Sequence, residues 1–319
     1  MIQCFEYQKG KLVPMEVSTG QYDWIHISPE FETNELELFA SQYEIPLDFL
    51  TDSLDIDERS RYEIEDGVNL ILINTPMLNN SEKKNEAVFI TVPIGIVLKN
   101  EKVITITQKG NPVITKFLEE KVKNFNPKDH KSFVLGLFHH NVIYYLECLK
   151  KLNLKRNLIE TELYNSSRNE ELKQLLRIEK SLVYFLNSLS GNDLLMMKMK
   201  RTDFLKIRDL EDHTDLFEDV IIDNGQALEM ANVYTNILSG TMEAYASIVS
   251  NNLNNIIQRL TLITIILMVP TLVASFYGMN LKHLPLSESK YSFYILILIS
   301  LGLGLGLIWF FRRNQKIDP

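Results

Sequence analysis

Two stretches of the 319-residue chain contain no charged residue at all, Leu260 to Leu281 and Tyr291 to Phe311. Each runs for about 21 or 22 residues, enough at 1.5 Å per residue to cross a ~30 Å hydrocarbon core. Only roughly nine residues, Lys282 to Lys290, separate them, so they predict a helical hairpin that spans a membrane twice and returns the chain to the side it came from. The opening segment "MIQCFEYQKGKLVPM" has no basic start followed by a long apolar run, so no secretory signal is expected. The residues before the hairpin are then expected in the cytosol, with both termini cytoplasmic and the spans in the plasma membrane. The basic tail "RRNQK" agrees, although Lys282 and Lys290 keep the positive-inside contrast slight. Cys4 and Cys148 show no paired spacing, which fits a reducing compartment and argues against a zinc or disulfide framework.

The formal net charge of −8 is concentrated in blocks. Between Glu30 and Asp66 the only basic residues are Arg59 and Arg61, and "DLEDHTDLFEDVIID" (209–223) has no Lys or Arg. Such blocks repel nucleic acid and attract cations. The first ~125 residues alternate β-like runs (22–28, 68–78, 87–99, 102–108) with helical spacing at 34–44 and 112–122, which predicts a mixed sheet flanked by helices. Beyond Lys131 the β signal vanishes. Two long helices follow, with "SGNDLLMMKMKR" read as a break or a short helix, and then a stretch from about Asp215 to Met279 interrupted by Pro270 alone. The expected fold class is thus α+β, with a long stalk helix and two C-terminal membrane helices. Its parts are an α/β domain (1–125), long helices and stalk (126–255), and a hairpin (256–319) whose spans are 256–280 and 291–311.

Steps of three and four residues along the first span meet Asn254, Ile257, Thr261, Thr264, Met268, Thr271 and Ser275, most of which carry a hydroxyl or an amide. Their neighbours are mostly aliphatic. A seam with this 3.5-residue period keeps one face toward equivalent neighbours in a supercoiled bundle. Two readings fit: hydroxyls that bond their own helix or a partner helix, or the lining of a water-filled pore. The same steps continue upstream to Ser250, Ser247, Glu243 and Gly240, which favours the pore. Uncharged oxygen ligands of this kind suit a hard cation that keeps its water. The second span has no such stripe; Gly302 and Gly306 instead form a small-xxx-small pattern suited to close packing, and the span is placed outside the pore.

"YGMN", residues 277 to 280, closes the first of two C-terminal spans after a long acidic region. In that setting the chain resembles the CorA family of magnesium transporters and channels, and "ILSGTMEAY", "SNNLNN" and "DSLDIDERSRYEIEDG" (52–67) add local likeness over most of its length. The resemblance implies a homopentameric funnel whose first spans line a central pore. It also implies Mg2+ as both transported and regulatory ion, and a selectivity ring at Gly278, Met279 and Asn280. A ring of amides accepts hydrogen bonds from the ion's waters, and Gly278 permits close backbone approach and left-handed geometry at the helix end. Leu260 and Met268 are expected as apolar constrictions. By motif match Asp52 and Asp219 would hold regulatory magnesium between subunits, with Asp55, Asp57 and Asp223 as alternatives. The loop departs from the family's pattern: Leu281 follows the tripeptide, Pro285 precedes Leu286, and Glu288 is the only loop carboxylate.

Two other readings remain open. One is zinc transport as in the related proton-coupled branch, against which Met279 leans; the other is a non-conducting membrane-tethered scaffold. An enzyme is not expected, since no nucleophile-base arrangement, phosphate-cradling loop or metal-ligand spacing occurs. The adjacent His139 and His140 point different ways on a helix and are read as structural. Partners are then further copies of the chain, the bilayer and divalent cations (Co and Ni alongside Mg), with no nucleic acid.

Overall fold

A computed structural model describes residues 2–15, 22–28, 33–80, 86–100, 102–108, 110–122, 125–165, 169–279, 285 and 290–314. The chain divides into two compact units, Met1–Met242 and Glu243–Pro319.

The first unit opens with β1 (Ile2–Gln8) and β2 (Lys11–Met15), joined by a two-residue turn in which Lys9 (φ 50°) and Gly10 (φ 84°) are both left-handed. That conformation matches the twist of the flanking strands. β3 (Trp24–Ile27), α1 (Thr33–Tyr43), α2 (Leu47–Asp52) and β4 (Arg61–Glu65) follow. Asp66 and Gly67, again left-handed, turn β4 into β5 (Val68–Leu78), and β6 (Phe89–Lys99) and β7 (Lys102–Thr107) complete the sheet. Its order is β2-β1-β3-β7-β6-β5-β4, with β3 and β7 parallel and every other pair antiparallel. The expected mixed sheet is present.

The sheet is buried on both faces, which is why β5 and β6 read as near-continuous apolar runs. Ile25, Leu70, Val97 and Ile104 share one core with Phe39 of α1 and with Phe49 and Leu50 of α2. The neighbouring Trp24 points the other way, as alternation requires. It packs on Phe125 and Phe133 at ring-centroid distances of 5.7 and 5.5 Å, and these two rings in turn pack on Phe117 at 5.1 and 5.9 Å. Phe117 belongs to α3 (Pro112–Leu118), which starts on the Asn111 side chain as N-cap and ends four residues short of the expected 122, where Glu120 turns left-handed. Phe133 belongs to α4 (His130–Asn165), which packs on α5 (Asn169–Thr202) and on β5.

The predicted break at "SGNDLLMMKMKR" is a correction: α5 runs through it without interruption. Gly191 lies inside that helix, and a Cβ there would meet Ser60 only in ordinary contact, at 3.6 Å from its hydroxyl. Asn192 is fully buried and acts as a surrogate strand. β4 pairs with β5 only as far as Leu72, so the backbone of Asn74 has no strand partner on that side. The Asn192 carboxamide accepts from the Asn74 N–H at 3.0 Å and donates to its carbonyl at 2.9 Å, and Asn141 and Tyr145 of α4 donate to the same carbonyl. Buried peptide groups left unpaired would cost about 1–3 kcal/mol each.

The remaining elements are α6 (Glu211–Tyr277) and α7 (Ser292–Asn314). Both are long and apolar enough to cross a membrane.

Candidate ion pathway and acidic segment

In the second unit the sequence seam becomes a surface. Thr264, Met268, Thr271 and Ser275 line an open groove of about 460 Å³ on α6, walled by Leu267, Leu272 and Phe276. Asn254, Ile257, Leu260, Thr261 and Glu243 are exposed on the same helix. The hydroxyls of Thr261, Thr264 and Thr271 donate to the carbonyls of Ile257, Leu260 and Leu267 at 2.8, 2.9 and 3.0 Å. Each threonine thus spends its one proton inside the helix and turns oxygen lone pairs outward. The two readings of the seam are therefore compatible: back-bonded hydroxyls form an acceptor-only surface.

α7 packs elsewhere on α6. Pro270, Val273, Ala274, Tyr277 and Gly278 face Phe293, Leu296, Ile297, Ser300 and Leu301 across an apolar groove of about 700 Å³. At 3.6 residues per turn this face lies about 130° around the helix from the seam. The seam is left uncovered by α7. A Cβ added at Gly302 or Gly306 would meet nothing within 4 Å, so their small-residue face is not used among the described residues.

At the helix end Gly278 and Met279 donate to Ala274 and Phe276 carbonyls at 2.9 and 3.4 Å. Gly278 does not adopt the expected left-handed conformation; α6 ends at Tyr277, and a Cβ on Gly278 would lie 3.4 Å from the Ala274 oxygen. The Tyr277 hydroxyl donates to the Pro285 carbonyl at 3.0 Å. Asn280 lies outside the described residues, as do Leu281, Lys282, His283, Leu286 and Glu288.

In the first unit Asp52 ends α2, and its carboxylate bonds Arg61 at 2.7 Å. Arg61 also donates from Nε to Glu63 at 2.6 Å and has the Glu58 carboxylate 2.5 Å from Nη1 as an ion pair outside hydrogen-bonding alignment. Burial works against the charged guanidinium, but the bonds from Glu63 and Asp52 and the nearby Glu58 charge outweigh it and raise its pKa. Asp55 and Asp57 are exposed, the first accepting the Asp57 N–H at 3.0 Å. Asp219 is exposed and Asp223 half-buried on α6. Among the described residues of the single chain, no three His, Cys, Asp or Glu side chains converge on a metal position. Sequence reasoning passed over Arg61. Its signal was present, since Arg59 and Arg61 are the only basic residues in the acidic block. His140 packs on the Phe117 ring at 5.4 Å, and burial, then His139 and Lys116, push its pKa down, in keeping with a structural role.

The family profile described as CorA-like Mg2+ transporter protein matches residues 19–313. The chain is 26% identical to the cobalt/magnesium transport protein CorA of Methanocaldococcus jannaschii, over 94% of this chain and 93% of that one. It is 21% identical to the Thermotoga maritima protein of the same name, over 92% and 82%. The complete structure of the Methanocaldococcus jannaschii CorA magnesium transporter superposes with a TM-score of 0.82 at 23% identity, covering 98% of each chain, which establishes a shared fold.

Proposed function

Because the chain belongs to the CorA-like Mg2+ transporter family, we propose that it conducts hydrated magnesium across a membrane as a homopentamer whose α6 helices line the pore. The surface that carries this reading is the acceptor-only seam of α6. Magnesium dehydrates reluctantly and keeps several waters, whose hydrogens point outward. A lining of threonine and serine oxygens accepts those hydrogens without offering a fixed charge that would hold the ion, so the ion can both enter and leave. Asn280, with Gly278 and Met279, forms the selectivity ring at the mouth, and Leu260 and Met268 are the apolar constrictions. The residues before about 255 form the cytosolic part, both termini being cytoplasmic. There Asp52 and Asp219 hold magnesium between neighbouring subunits and stabilise the closed assembly, with Asp55, Asp57 and Asp223 as the alternative ligands. The ion does so by binding one arrangement of the subunits better than the other.

The test is magnesium uptake into liposomes loaded with a magnesium-sensitive dye, comparing the unmodified chain with Asn280→Ala at matched reconstitution, with zinc as competitor. Uptake should fall at least about tenfold in the variant, the loss of about 1.4 kcal/mol of differential stabilisation. Transport seen only with zinc and a proton gradient would place the chain with the zinc branch, and assembly without any ion flux would favour a scaffold.

A further inference from the structure

Arg61 stands in an unusual position for a residue beside Asp52, the carboxylate proposed above to bind magnesium. Three carboxylates converge on its guanidinium, Asp52 at 2.7 Å, Glu58 at 2.5 Å and Glu63 at 2.6 Å. Arg61 and Asp52 are both partly withdrawn from water, at 27% and 32% side-chain exposure. The end of α2 that carries Asp52 is itself fixed. Ser53 bonds back to the Phe49 carbonyl at 2.6 Å and lies so close to Gly95 of β6 that only glycine fits there. Asp52 therefore has little freedom to swing away from Arg61, and its oxygen cannot serve a guanidinium N–H and a metal ion on the same lone pairs.

We propose that Arg61 is a tethered counter-cation that competes with divalent ions for Asp52 and so sets the magnesium concentration at which the channel closes. The inference rests on the assignment of Asp52 as a regulatory ligand. When magnesium is scarce, the guanidinium neutralises Asp52 and the segment keeps its fold without metal. When magnesium is abundant, the ion takes Asp52, and Arg61 retains Glu58 and Glu63, which is why it does not become an unpaired buried charge. That redundancy is the feature an ordinary structural pair lacks. A single Asp–Arg pair would lose its partner on metal binding and oppose it strongly, whereas a three-carboxylate hub gives up one partner at small cost. The device weakens metal binding to a working range without removing the site.

The experiment uses the full chain in patches of reconstituted giant vesicles, with magnesium titrated on the side bearing the first unit and the half-inhibitory concentration read from the current. Arg61→Gln should lower that concentration by about two- to fivefold, the scale of a partly exposed ion pair. Glu63→Gln should raise it, because Arg61 then has one fewer competitor for Asp52. Asp52→Asn separates the two levels of the argument. If Asp52→Asn leaves the feedback untouched, the assignment of Asp52 fails. If Asp52→Asn alters feedback while Arg61→Gln leaves the half-inhibitory concentration unchanged or raises it, the competition fails. Should Arg61→Gln not assemble, Glu63→Gln decides alone: an upward shift upholds the proposal, and no shift or a downward one overturns it.

Discussion

At the scale of single residues, the most exacting position is Gly95, where a Cβ would fall 1.9 Å from the Ser53 hydroxyl and 2.4 Å from its Cβ. No rotamer of Ser53 relieves the second distance, so the end of α2 or the strand itself must move. Overpacking of this kind costs about 1–3 kcal/mol. Gly95→Ala should lower the melting temperature of the detergent-solubilised protein by several degrees, and adding Ser53→Gly should restore most of it. Equal melting of the single variant and the parent would show that α2 shifts freely. The proposed Asp52–Arg61 competition would then lose its rigid support. Arg61 teaches the complementary lesson about legibility. Its type and its isolation among acids are visible in the sequence, but the contact with Asp52 depends on the chain reversing between α2 and β4, which no local pattern encodes.

Among the elements, α6 is the one proposed to line the pore, and its threonines allow a test that separates helix stability from pore chemistry. Thr264→Val keeps the shape and removes an oxygen that faces the groove, while Thr264→Ser keeps the oxygen. Valine should leave melting within about 0.5 kcal/mol, as exposed substitutions usually do, yet reduce magnesium flux several-fold; serine should preserve flux. Equal flux in both would remove Thr264 from the pathway. The elements read from sequence were those with strong periodicity: β3, β5, β6, β7, α1, α6 and α7 fall close to their expected bounds. β2 and β4, which were not foreseen, are the two edge strands of the sheet, and β1 lies next to β2. Edge strands are protected from unwanted pairing by charge and proline. Accordingly "KLVPM" carries Lys11 and Pro14, and "RYEIE" carries Arg61, Glu63 and Glu65. The residues that protect these edges erase the apolar alternation by which a strand is recognised. Gly191 and Asn192 misled because local propensity opposes a helix there, whereas the bonds of Asn192 to the Asn74 backbone are tertiary.

For the whole molecule, the exposed apolar surface of the C-terminal helices needs a cover other than water. Leu260, Leu267, Leu272, Leu298 and Leu305 are each more than half exposed, far beyond what water tolerates on one face. Lipid covers part of such a surface; the seam of hydroxyls on α6, its protons spent inside the helix, leaves acceptor oxygens that water or other copies would serve better than lipid. The proposed homopentamer meets both needs and predicts a particle near five times the 37.0 kDa chain. It also brings acidic blocks of several chains together, so assembly stores repulsion that a divalent ion can relieve. Binding restricted to the native assembly adds stability that grows with the logarithm of ion concentration, about 2.7 kcal/mol at a hundredfold excess over the dissociation constant. Melting in millimolar magnesium should therefore lie several degrees above melting in a chelator, and Asp219→Asn should shrink that difference while leaving the chelator curve in place or slightly higher. A magnesium shift of full size in Asp219→Asn would remove this residue from the ion site and leave Asp52, Asp55, Asp57 and Asp223 to account for it.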